Sequence, residues 1–133
     1  MLLKHKTSII TGCNRGIGKA ICQTFAENGC DVAFTYNNSK ESAENLAKDL
    51  KNIGINAKAY KSDASSFEDA TQLVEDVIND FGKIDILVNN AGYALPNAFH
   101  KNTMEDEEKC LRVLGTSVIA LTKKYINDMI SNR

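Results

Sequence analysis

Residues 7–18 read TSIITGCNRGIG, and the change of spacing inside this stretch decides the fold. Thr7 to Thr11 is a short β-branched and apolar run, which reads as a buried strand, and Gly12 ends it in a turn. From Gly16 the apolar residues fall at Ile17, Ala20, Ile21 and Phe25, three and four apart as on one helix face. Asn28 and Gly29 supply the C-terminal stop. A strand therefore passes through a glycine-rich turn into a helix.

The alternation repeats downstream. Asp31 to Tyr36 reads as a second strand, followed by a helical stripe of Ala43, Leu46, Ala47, Leu50 and Ile53 that ends at Gly54. Ile55 to Tyr60 makes a third strand. Ser65 or Ser66 caps a third helix, carried by Phe67, Ala70, Val74, Val77, Ile78 and Phe81 and stopped by Gly82. Ile84 to Val88 is a fourth strand. After a loop with Gly92 and the lone Pro96, a last helix is expected from about Glu105 to the end, with Leu111, Leu114, Val118, Leu121, Tyr125 and Ile126 on its apolar stripe. Strands alternating with such helices imply right-handed βαβ crossovers, hence a four-stranded parallel sheet between two helix layers.

Composition sets the outer bounds. The 133 residues, 43% hydrophobic and 25% charged with a net charge of −1, suit one globular domain spanning residues 1–133. So even a charge balance argues against both a disordered chain and a basic nucleic-acid binder. No apolar run approaches the roughly 20 residues needed to cross a bilayer, so no membrane span is expected. The four cysteines, Cys13, Cys22, Cys30 and Cys110, form no CxxC pair, and the first residues lack a signal-peptide pattern. A reducing, cytoplasmic setting is the expectation.

The glycine turn carries the chemistry. Gly12 permits a tight turn, Gly16 lets backbone approach a pyrophosphate, and Gly18 lets the helix pack closely on the strand. The helix N-terminus then attracts phosphate. A glycine turn at a strand-to-helix junction also has a purely structural use, but its position here favours a dinucleotide.

At TGCNRGIG, residues 11–18, and NNAG, residues 89–92, the chain resembles the short-chain dehydrogenases/reductases. Within them it is most similar to the 3-oxoacyl-[acyl-carrier-protein] reductases and related ketoreductases. The resemblance covers essentially the whole chain. It implies a Rossmann-like, three-layer αβα fold with strand order 3-2-1-4, truncated relative to the family, and oxidoreductase chemistry with a nicotinamide dinucleotide. Carried over, the cofactor residues are Gly12, Asn14, Arg15, Gly16, Ile17, Gly18, Asn37, Ser39, Asp63, Ala64, Asn90, Ala91 and Gly92. Asp63 and Ala64 stand where the family contacts adenine.

An acidic residue about 20 positions past the glycine turn usually binds the NAD ribose and repels the extra phosphate of NADP. Here Tyr36, Asn37 and Asn38 occupy that region. With Arg15 in the turn, and Ser39 and Lys40 nearby, NADP is expected ahead of NAD. Arg15 and Lys40 also have the plainer reading of solvated charges.

The family's proton donor is a tyrosine with a lysine four residues later, assisted by a serine, all beyond a fifth strand. The sequence contains no such segment. Its late Tyr125 is followed four residues on by Met129 and reads as helix packing, while Lys123 and Lys124 read as helix-end cations. Aligning LRVLGTSVIALT places Leu114 where the family carries a relay asparagine, and leucine forms no hydrogen bond. His5 and His100 read as surface histidines, and Cys13 as a packing residue. No catalytic or metal-binding residue is assigned.

Three functions stay open: the NADP(H)-binding portion of a reductase, inactive alone; a non-catalytic nucleotide-binding or interaction module; and half of a two-chain enzyme. An exposed fourth-strand edge or the last helix further predicts a homo-oligomer.

Overall fold

The computed structural model describes residues 1–13, 16–93, 95 and 97–131, so the expectations for Asn14 and Arg15 lie outside the described residues. Its elements follow the expected alternation: β1 (Thr7–Ile10), α1 (Gly16–Glu27), β2 (Asp31–Tyr36), α2 (Lys40–Ile53), β3 (Ala57–Lys61), α3 (Phe67–Phe81) and β4 (Ile86–Val88). A 3₁₀ turn (Phe99–Lys101), α4 (Met104–Leu111), a wide π turn (Arg112–Thr116) and α5 (Ser117–Ser131) complete the chain.

The four strands are parallel in the order β3-β2-β1-β4. Central β1 pairs Ile9 with Ala33 on one side and Leu87 on the other. Because successive side chains in a strand point to opposite faces, neighbouring isoleucines serve different cores. Ile10, with Val32 and Phe34, packs beneath α1 and α2 against Cys22, Ala26, Leu46 and Leu50. Ile9, with Ala33 and Tyr60, packs against Leu73, Val74 and Val77 of α3 and Leu121 and Tyr125 of α5. Each fully buried aliphatic or aromatic side chain contributes about 1.5–3 kcal/mol to this three-layer arrangement.

Local chemistry sets the boundaries. Ser66 caps α3, its hydroxyl accepting from the Asp69 N–H at 3.2 Å, while Ser65 turns instead to Asp63. Gly54 and Gly82 close α2 and α3 in the left-handed region. Thr103 and Asp106 form a reciprocal capping box at the start of α4.

Several boundaries differ from the sequence reading, β1 ending at Ile10 instead of Thr11. β3 runs two residues later at its start and one later at its end, and β4 is only three residues long. Asp85 is diverted from the ladder's side-chain pattern: its carboxylate accepts the Thr7 N–H at 2.9 Å and pairs with Lys83 at 2.9 Å. The last helix is not uniform, since the ladder widens over Arg112–Thr116, a stretch that includes Gly115, a poor helix former. On its expected apolar stripe only Leu121 and Tyr125 are buried, and Leu111, Leu114 and Ile126 are exposed.

Candidate dinucleotide site

The glycine turn leaves the C-terminal end of β1 between β2 and β4, and two threonines tie it down. Thr35 of β2 accepts the Gly12 N–H on its hydroxyl at 3.0 Å, and its carbonyl accepts the Cys13 N–H at 3.0 Å. Thr11 Oγ1 accepts two N–H groups from the loop after β4, those of Asn90 at 3.0 Å and Ala91 at 2.9 Å. The Asn90 side-chain amide then donates back to the carbonyls of Thr11 and Gly12, each at 3.0 Å. Asn90 is thus a staple joining two segments nearly eighty residues apart.

The glycines are required by this junction. Gly12 has φ +70°, and a Cβ there would stand 3.0 Å from the Ala91 Cα. At Gly18 a Cβ would press on the Gly12 carbonyl oxygen and lie 2.6 Å from Asn90 Nδ2 and 2.8 Å from the Cys13 Cα. Only hydrogen fits between α1 and the turn.

Above this floor lies a cleft of about 560 Å³. Of the residues expected to bind a cofactor, the structure gathers Gly12, Gly16, Ile17, Gly18, Asn37, Asp63, Ala64, Asn90, Ala91 and Gly92 around it. Ile17, expected on the buried stripe of α1, is 75% exposed and faces this cleft from the first helical turn. Ser39 is not in the lining: it precedes α2, exposed, without a side-chain capping bond. Lys40 is engaged with Glu44 along the exposed face of α2, at 3.8 Å.

Residues from outside the expected set complete the walls: Thr35, Tyr36, Asn38, Ser62, Tyr93, Lys109 and Val113. Thr35 and Ser62 follow from strand ends, but Lys109 of α4 and Val113 of the π turn join Tyr93 at the cleft only through the tertiary fold. No local pattern signals that meeting.

Asp63 is poised as an acceptor. The Ser65 hydroxyl at 2.7 Å and the Ser65 N–H at 2.8 Å both donate to its Oδ1. These bonds hold its carboxyl below the ordinary aspartate value, with Lys109 and Arg112 adding to the effect against partial desolvation. Cys13 is fully buried, its thiol donating to the Ile10 carbonyl at 3.1 Å, and burial beside Cys22 pushes that thiol far up. It is part of the packed core beneath α1 and α2. Tyr125 is 1% exposed, with no hydrogen-bond partner for its hydroxyl among the described residues, and burial pushes its phenol up. His5 and His100 are exposed. No group of three or more potential metal ligands occurs among the described residues.

The family model for short chain dehydrogenases matches residues 6–133. The chain belongs to the short chain dehydrogenase family. Its relatives within that family include a 3-oxoacyl-[acyl-carrier-protein] reductase of Staphylococcus epidermidis, 33% identical over 97% of this chain and 53% of the relative. An NADP-dependent mannitol dehydrogenase of Alternaria alternata is 41% identical over 77% of this chain and 40% of the relative. Among solved structures, a short chain dehydrogenase from Burkholderia cenocepacia in complex with NADP superposes with a TM-score of 0.94 at 32% identity. That match covers 97% of this chain and 53% of the other. This short chain dehydrogenase chain therefore spans about half the length of the relatives it matches. No helix among its described residues is long and apolar enough to cross a membrane.

Proposed function

We propose that the chain is the NADP(H)-binding portion of an oxidoreductase that reduces carbonyl groups, such as those of 3-oxoacyl thioesters. By themselves these 133 residues do not turn substrate over. The observation that carries the reading is the packed junction of Gly12, Gly18 and Asn90 beneath a cleft large enough for a dinucleotide.

When bound, the nicotinamide supplies or accepts a hydride. The chain's own residues hold and orient it. Gly12, Gly16, Ile17 and Gly18 present the start of α1 to the diphosphate, and the helix dipole favours the negative charge. Asp63 accepts from the adenine amine, with Ala64 beside it. Asn90, Ala91 and Gly92 form the wall on the β4 side.

The preference for NADP is supported by the end of β2, where Tyr36, Asn37 and Asn38 line the cleft without a carboxylate. It is also supported by relatives whose own names or complexes carry NADP. Ser39 stands close enough in sequence to help with the 2′-phosphate, though outside the cleft lining. Titration with NADPH and NADH tests this, tighter NADPH binding being expected; tighter NADH binding rejects it. An assay with NADPH and a 3-oxoacyl thioester should show no turnover, and robust turnover would overturn the catalytic deficit.

A second reading, a non-catalytic interaction module, is favoured by Leu114. It lies half-exposed in the π turn, where the resemblance places a hydrogen-bonding asparagine. Failure to bind either dinucleotide would select it. Under both readings the chain self-associates through α4–α5 or the β4 edge.

A further inference from the structure

One wall of the cleft comes from neither the glycine turn nor the β4 motif. Tyr93 follows Gly92, Lys109 comes from α4, and the lysine Nζ stands 4.8 Å from the centre of the tyrosine ring. Cys110 reaches the same loop, its thiol 3.9 Å from the Tyr93 carbonyl oxygen. Tyr93 lies two residues beyond Ala91, which packs against Gly12. Both residues line the same cleft as Gly12, Gly16, Ile17 and Gly18 of the glycine turn.

Asp63 and Lys109 carry the only formal charges among the described lining residues. The Asp63 carboxylate already accepts two bonds from Ser65. Lys109, half-buried, has no carboxylate within ion-pair distance among the described residues. An aromatic face holds an ammonium without neutralising it. The charge acts through space on Asp63 but is not taken up in an ion pair, and it stays open, at restricted orientation, to a group that enters the cleft. Phosphate oxygens suit it, because charge-assisted hydrogen bonds are about twice as strong as neutral ones.

We propose that Lys109, steadied by Tyr93, binds the diphosphate of the dinucleotide and supplements the N-terminus of α1. This rests on the dinucleotide reading above. It assigns Lys109 to the diphosphate and not to the 2′-phosphate, which belongs at the end of β2.

The experiment titrates the 133-residue chain and its Lys109→Met variant with NADPH and with NADH, following nicotinamide fluorescence. The expected result is a loss of about tenfold in affinity for both, with a flatter salt dependence. Lys109→Arg should retain most of the affinity. Lys109→Gln repeats the measurement independently of any effect of methionine on folding, which circular dichroism reads in each variant. Unchanged affinity in the folded neutral variants overturns this inference and leaves the dinucleotide reading standing. A loss for NADPH alone overturns the diphosphate assignment. No binding of either dinucleotide by the unsubstituted chain overturns the dinucleotide reading and this inference with it.

Discussion

At Gly18 a single methyl group has nowhere to go, because the turn, the Cys13 backbone and the Asn90 amide converge on its Cα. Gly18→Ala must displace backbone and not a flexible side chain, so it is expected to cost about 1–3 kcal/mol and to weaken dinucleotide binding. Chemical denaturation of both proteins, alongside the NADPH titration, checks this; an alanine variant of unchanged stability contradicts the geometry. The cysteines give a second residue-scale expectation. Cys13, Cys22 and Cys30 are fully buried, whereas Cys110 is half-buried beside Tyr93. A thiol reagent should label one cysteine under native conditions and all four only after unfolding, as counted by mass spectrometry. These positions also show what a sequence discloses. Gly12, Gly18 and Asp63 were legible because their duties are local: a turn, a close approach, a strand end. Lys109 and Tyr93 were not, since they stand far apart in sequence and only the tertiary fold brings the ammonium over the ring. Ser39 is exposed and outside the cleft lining, because adjacency in sequence to Asn38 does not by itself put a side chain in the cleft.

Between elements, three aspartates act as clasps. Asp80 near the end of α3 accepts from Lys58 at 2.7 Å and Tyr60 at 2.6 Å, fastening the helix to β3. Asp85 joins the approach to β4 to the start of β1, and Asp63 ties β3 to the cap of α3. All three carboxyls lie below the ordinary value of 3.8: Asp80 through the Lys58 and Tyr60 bonds, Asp63 through Ser65. At Asp85 burial opposes the shift, but Lys83 and the Thr7 N–H outweigh it. A carboxyl depressed in the fold contributes stability that is present above its unfolded pKa and lost as pH falls through the folded one. The urea midpoint should therefore hold down to about pH 5 and fall steeply between about pH 4 and pH 2. Asp80→Asn should show a shallower fall, and equal slopes in the two proteins would remove Asp80 from this role. The strands and helices were readable from spacing because 2- and 3.6-residue periods are local. The π turn was not, because Leu111 and Leu114 keep a helical rhythm across a ladder that widens beneath them.

Across the whole molecule, one run of exposed apolar side chains lies along the last helical segments. Ile119, Ile126 and Ile130 share an exposed face of α5, with Leu111 and Leu114 exposed just before it, and β4 is a half-buried sheet edge. Exposed apolar patches and open edges of this kind favour association. Sedimentation equilibrium should report a dimer or larger species, and Ile126→Lys should shift it toward monomer; a monomer at high concentration speaks against the surface. The cleft depends on the Asn90 staple, and that feature has a kinetic meaning. The loop after β4 has no repeating hydrogen-bond pattern, yet the Asn90 and Ala91 amides both end on Thr11 Oγ1. Their hydrogens should exchange with solvent at rates typical of the sheet, even before a ligand arrives. A guest entering the cleft then finds its floor already assembled. Little of the binding energy is diverted into ordering that floor, and encounter needs no slow rearrangement of it.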